Sequence, residues 1–166
     1  MSSSIPAYPL VTRYGARSRI VVVLRRAPLI MMLVIFSLIS VKYLSNPIAA
    51  AAAVGISFTS PGGITIARVG FAAFPLSMAI LAFASLLSTR WRLAGLYMVL
   101  TVDAVVMGVR IFGTLVDHST ASAHLLAPEA VLLGLSTIAI RLEAAAQHAT
   151  NSAETRNFVS ENASHE

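Results

Sequence analysis

Residues 69–88 read VGFAAFPLSMAILAFASLLS, twenty consecutive residues without a charge. A helix of about 20 apolar residues, rising ~1.5 Å per residue, spans the ~30 Å hydrocarbon core of a bilayer, so this stretch predicts a membrane crossing. Arg68 is the one charge between Ile64 and Ser88, and the crossing is expected over 64–88. Pro75 lies inside it. Having no N–H, it is expected to kink the helix and free the Phe71 carbonyl, a defect that membrane helices tolerate when a neighbour supplies a donor.

Working upstream, Ser60-Pro61-Gly62-Gly63 is a turn signal that restarts the chain before this segment. Ile48–Ile56, IAAAAAVGI, is too short to cross and is expected to lie at the membrane surface or dip into it. Ala27–Leu44, APLIMMLVIFSLISVKYL, is long enough if Lys42 snorkels its ammonium to the interface. Asn46-Pro47 ends that helix.

Downstream, Thr89-Arg90-Trp91-Arg92 reads as a short basic turn whose indole suits the headgroup zone. Leu93–Val116 is a third crossing, with Asp103 near its middle and Arg110 two turns later. Leu125–Leu142 is a fourth, with Pro128 in its first turn and Glu129 just inside. The expected fold class is therefore an all-α integral membrane four-helix bundle over 27–44, 64–88, 93–116 and 125–142. A basic arm, 1–26, precedes it. A polar tail, 144–166, follows, helical through Gln147 and largely disordered beyond, because it has too little apolar surface to offset chain entropy.

Composition points the same way. Of 166 residues, 57% are hydrophobic and 11% charged, against ~25% charged in ordinary soluble domains, and the mean hydropathy is +0.79. The net charge of +5 suggests nucleic acid only until the charges are located. Arg13, Arg17, Arg19, Arg25, Arg26, Arg90, Arg92, Arg141 and Arg156 fall in the arm, the 89–92 turn and the tail, while Ser45–Gly63 and Asp117–Ala123 hold no Lys or Arg beyond the helix end at Lys42. Basic short loops stay on the cytoplasmic side, which puts both flanking segments on the cytoplasmic face of an inner membrane and makes anionic lipid headgroups, not nucleic acid, the expected partner. A basic start, apolar Leu29–Val41 and small Ala49–Ala53 also fit a cleavable secretory signal, but the basic region is long for one and Lys42 interrupts the approach to the cut.

Charges in hydrocarbon are expensive and normally face the bundle interior in pairs. Asp103 lies at mid-depth, and Lys42, Arg68, Arg110 and Glu129 lie toward the outer helix ends. Asp103, Met107, Arg110, Thr114 and Asp117 share one helical face, expected to look inward. Guanidinium binds carboxylate bidentately and stays protonated, so Arg68, Glu129 and Arg110 are expected to form a polar cluster with Asp103 beyond it. Lys42, Arg68 and Arg110 against Asp103 and Glu129 leave one positive charge over, to be neutralised by Asp117, solvated, or met by an anion. Such a cluster can simply fix which helices meet, or it can bind a ligand.

Ala73, Ser77, Ala84 and Ser88 form a small-residue stripe on which another helix can approach. Zinc-protease, nucleophile-elbow and phosphate-loop motifs are absent, and zero cysteines exclude thiolate chemistry, so no catalytic residue, metal or cofactor is expected. His118 and His124 read as solvated loop residues, and the Asn162-Ala163-Ser164 sequon as coincidence on the cytoplasmic side.

The run SPGGITIARVGFAAFPLSMAIL from Ser60 to Leu81, VRIFG at Val109–Gly113 and LLAPEAVLLGLS from Leu125 to Ser136, with an Asn-Pro before an alanine-rich stretch, together resemble the bacterial family known as domain of unknown function 4345. The similarity covers about Ala27 to Glu143. The resemblance implies a small four-helix integral membrane protein marked by Arg68 with Gly70, Arg110 and Glu129; its activity is unassigned, so it brings no substrate. The expected function is a non-enzymatic inner-membrane bundle whose Arg68, Arg110 and Glu129 cluster is structural or holds an anionic small molecule or lipid headgroup. Alternatives are an accessory subunit of a membrane-protein partner or a homo-oligomer, or a proton-coupled carrier using Asp103.

Overall fold

The computed structural model describes residues 11–116 and 126–163, all of them in helices or the short turns between. Helix α1, Val11–Ser45, is 35 residues long and continuous through Pro28. The expected start at Ala27 is thus moved into the arm. Residues 16–27 contain no glycine or proline to stop a helix, and the Pro28 ring is fully buried beside Leu29 in the helix interface.

Asn46 then caps the six-residue α2, Pro47–Ala52, its side chain accepting the Ala49 N–H at 3.1 Å. This helix folds back, burying Pro47, Ala50 and Ala51. Gly55, at φ +79°, turns the chain out of it in the left-handed region that glycine enters without strain. Ser60 caps α3, Pro61–Arg68, accepting the Gly63 N–H at 3.3 Å. A π-helical turn, Val69–Ala73, follows, and α4 runs from Phe74 to Leu87. The turn has a local cause. Pro75 offers no N–H to Phe71 and its ring crowds that carbonyl; the backbone widens one register, with the Phe74 N–H reaching five residues back to the Val69 carbonyl.

Only Ser88, in extended conformation, separates α4 from α5, Thr89–Val116. The expected basic turn at 89–92 is instead the first turn of α5. Helix α6 spans Leu126–Ala163, 38 residues, so the expected end at Leu142 and the disordered tail are also corrected. After Gly134 no glycine or proline occurs, and alanine, glutamine and glutamate carry the helix onward. Thr150 and Thr155 donate their hydroxyls to the carbonyls of Ala146 and Asn151.

Among the described residues, three segments are long and apolar enough to cross a membrane: Arg19–Ser45, Pro61–Leu87 and Thr89–Val116. In α6, Glu129, Arg141 and Glu143 interrupt the apolar run. Helix α1 packs on α4 and α6, and α5 packs on the same two. Leu29, Met32, Ala82, Leu96, Val99, Ala139 and Ile140 form the main core; Tyr43, Ala50, Ala51 and Ala72 form a smaller one at the far end of α1, where the Tyr43 and Phe71 rings stack at 5.1 Å.

The distribution of side chains is the reverse of a water-soluble domain. Buried positions include Ser40, Ser85, Arg92, Asp103, Ser136 and Glu143, while Leu38, Val41, Ile66, Val69, Val109, Phe112 and Leu115 are more than half exposed. Apolar surface of that extent is compatible with a multi-pass membrane protein. The face that α4 and the π turn bury is Ala72, Pro75, Ala79, Ala82 and Ser85. Ala73, Ser77 and Ala84 are exposed, so the stripe expected to pack lies outside the helix contacts of this chain. Between α4 and α5, a Cβ at Gly95 would collide with the Ser85 side chain and stand 3.2 Å from Leu29 Cδ2.

Candidate functional site

The buried positions of α5 are Arg92, Gly95, Leu96, Val99 and Asp103, at steps of three, one, three and four residues, and beyond them Met107, Arg110 and Thr114 remain half-buried. This face looks into the bundle, toward α4, α1 and α6. Asp117, His118 and His124 lie outside the described residues, as do His165 and the last residue of the sequon.

Between α1, the π turn, α5 and α6 lies a cavity of about 620 Å³. Most of its wall is apolar, including Met31, Phe36, Phe71 and Phe74; its polar members are Asp103, Arg110 and Glu129. Glu129 stands in the first turn of α6, where unpaired backbone N–H groups favour a carboxylate. Arg110 Nε donates to Glu129 Oε1 at 2.5 Å. The pair is partly sheltered, with side-chain exposures of 31% for Arg110 and 14% for Glu129. Glu129 Oε2 and Asp103 Oδ2 are both buried and have no hydrogen-bond partner among the described residues. Two acceptor atoms therefore stand unsatisfied at the wall of an apolar cavity, a state that buried polar groups normally avoid.

Arg68 does not join them. It is exposed, is absent from the cavity wall, and forms no ion pair among the described residues. Its neighbour Ala67 is on the buried face, and successive helical residues are turned by about 100°, which carries Arg68 off that face. Lys42 is likewise exposed near the end of α1.

A second polar cluster, unforeseen from the sequence, lies at the other end of α5. Glu143 is fully buried. Its Oε2 accepts Arg25 Nε at 2.6 Å and its Oε1 accepts Arg92 Nη1 at 3.5 Å. Arg92 Nη2 reaches Thr89 Oγ1 at 3.4 Å, and Gln147 Nε2 donates to the Thr89 carbonyl at 3.5 Å. From the sequence, Arg25 and Arg92 read only as topology-setting charges. The available signal was Glu143, an acid fourteen residues after Glu129 and so near the same helical face, at the one end of the molecule rich in arginine.

No family model, curated protein or solved structure matches this chain. Its chemistry rests on the two clusters. Neither contains a nucleophile next to a base, and no group of three or more His, Asp or Glu able to hold a metal ion occurs among the described residues.

Proposed function

We propose that this chain is a small multi-pass inner-membrane protein, a four-helix bundle with both flanking segments cytoplasmic, that holds an amphipathic small molecule in the cavity between α1, α5 and α6. The ring of contacts α1–α4–α5–α6 supports the bundle. The concentration of arginine in the first half of α1, at the start of α5 and along α6 from Arg141 onward supports the orientation. A fourth crossing by α6 is chemically reasonable because Glu129 and Glu143 are each paired with an arginine of another helix.

The observation that carries the ligand reading is the pair of unpartnered oxygens, Asp103 Oδ2 and Glu129 Oε2, at the wall of an apolar cavity. Apolar lining with a few convergent polar groups is the usual form of a small-molecule site. An anion is not the occupant this geometry favours. Two carboxyl groups face one guanidinium, and that guanidinium is already engaged by Glu129. The fitting ligand has an apolar body and a polar end that donates hydrogen bonds, such as an amine or a hydroxyl.

Competition for the cavity tests this. Protein reconstituted in nanodiscs is loaded with an environment-sensitive fluorophore and challenged with dodecylamine, dodecanol and dodecyl sulfate. The amine and the alcohol are expected to displace the fluorophore, the sulfate to be weaker by at least tenfold, and Asp103→Asn to weaken the amine by a similar factor. Equal displacement by all three, together with an unaffected Asp103→Asn variant, would refute the reading.

A further inference from the structure

We propose that the cavity where α1, α5 and α6 meet at the arginine-rich end is a second binding site, for a phosphate group. It is separate from the Asp103 cavity and does not depend on the reading of that cavity. Its volume is about 410 Å³, and its wall includes Arg25, Arg90, Glu143, Gln147, Thr150 and Asn151. Glu143, Gln147, Thr150 and Asn151 fall at steps of four, three and one along α6, so one polar face of that helix turns toward the arginines.

Charge and fixation both point to an anion. Among the described side chains, Glu143 is a single negative charge beside Arg25, Arg90 and Arg92, which leaves an excess of two positive charges. Arg25 is held through Nε by Glu143, so the plane of its guanidinium is set, and neither of its Nη groups has a partner among the described residues. Arg90 is exposed, borders the same cavity and forms no ion pair among the described residues. Arginine recognises phosphate by its fork of parallel N–H donors, and a preset fork loses little freedom on binding. The Asn151 amide adds a neutral donor. A fully buried carboxylate that orients one arginine, next to a second arginine with no ion pair among the described residues, is the arrangement of a built anion site. An unpaired surface charge has no such support.

The phosphate can belong to a lipid headgroup or to a soluble phosphate ester. Trp91, exposed beside Arg90, suits an interface where either is at hand. Two measurements separate the sources. Native mass spectrometry counts dioleoyl phosphatidic acid retained by the purified full-length protein against dioleoyl phosphatidylcholine, and calorimetry titrates inorganic phosphate into protein in phosphatidylcholine nanodiscs. Saturable binding in the first alone assigns a lipid headgroup; saturable binding in the second assigns a soluble ester. In either case Arg90→Gln is expected to weaken binding about tenfold, while Arg26→Gln, which removes an exposed arginine outside the cavity wall, changes it less than twofold. Asn151→Asp, which adds a negative charge at the wall without touching an arginine, is expected to match Arg90→Gln and serves if that variant does not fold. Absence of saturable binding in both measurements, or equal losses in the Arg90 and Arg26 variants, overturns the proposal.

Discussion

Arg25 and Glu143 are 118 residues apart in the chain and 2.6 Å apart in space. The contact joins the first and last helices at the same level at which Arg92 joins α5 to them. Eighteen residues further along α5, Arg110 meets Glu129. At ~1.5 Å per residue the two clusters are separated by about 27 Å, close to the thickness of a bilayer's hydrocarbon core. Between them only Asp103 interrupts the apolar interior of α5. The ion pairs thus mark two levels near opposite faces of the slab, with the core of Leu29, Leu96 and Val99 between.

Removing Glu143 should be far more damaging than removing all three charges. Glu143→Ala leaves Arg25 and the buried Arg92 without their counter-ion, and an uncompensated buried charge costs about 3–5 kcal/mol. Replacing the set together, with Arg25→Met, Arg92→Met and Glu143→Leu, removes the desolvated charges as well as their attraction and should leave stability near the starting value. Unfolding in mixed micelles with increasing sodium dodecyl sulfate checks both. A triple variant as unstable as Glu143→Ala would show that these side chains matter for something other than charge balance.

Gly95→Ala should destabilise although alanine is the better helix former. The added methyl meets the Ser85 side chain and comes within 3.2 Å of Leu29 Cδ2. Ser85 is itself held by its hydrogen bond to the Leu81 carbonyl. Overpacking of this kind costs about 1–3 kcal/mol. Gly108→Ala is the control, since nothing lies within 4 Å of a Cβ built there, and it should be neutral or slightly stabilising. The same detergent titration distinguishes the two.

Hydropathy made the long apolar helices legible because hydrocarbon imposes a length and forbids most charges. Their ends were harder. Pro28 and the basic residues before it look like a boundary, yet the helix passes through, since the ring that interrupts the hydrogen-bond ladder is buried in a helix contact. In the candidate site, Arg110 and Glu129 were legible as an intramembrane cation and anion on helices adjacent in the chain, with Asp103 on the same face as Arg110. Arg68 was not, because its direction depends on a phase of α3 that only the buried Ala67 reveals. Glu143 was missed because a charge beyond the apolar run gives no sign of whether water or another helix surrounds it.

Arg110→Gln should reveal how much the Arg110 to Glu129 contact contributes. Glu129 would keep its place in the wall but lose its one ion-pair partner among the described residues, and an unsatisfied, partly buried carboxylate costs about 1–3 kcal/mol. The loss should be smaller than for Glu143→Ala because Arg110 is 31% exposed and solvent can reach the site. In the competition assay the same variant should raise the preference for dodecylamine over dodecanol, since the cavity then presents two carboxyl groups with no guanidinium. A preference that shifts toward dodecyl sulfate would contradict this electrostatic account of the cavity.

Pro75→Ala should separate ligand binding from stability. Pro75 gives the local reason for the π turn over Val69–Ala73, and that turn contributes Gly70 and Phe71 to the cavity, with Phe74 and Pro75 next to it. An alanine N–H at position 75 can bond to the Phe71 carbonyl and draw the turn back to α-helical register. Removing the widened turn rotates the preceding segment by about 100° relative to α4, since each helical residue advances the chain by that angle. Phe71 would then leave both the cavity and its stack on Tyr43. The regained backbone hydrogen bond stabilises, the lost ring contact opposes it, and each is worth about 1 kcal/mol. Resistance to denaturant is therefore expected to change little while affinity for the fluorophore falls at least tenfold. Unchanged affinity in a folded Pro75→Ala variant would mean that the turn persists without its proline, held by the packing of Ala72 against Tyr43 and Ala51.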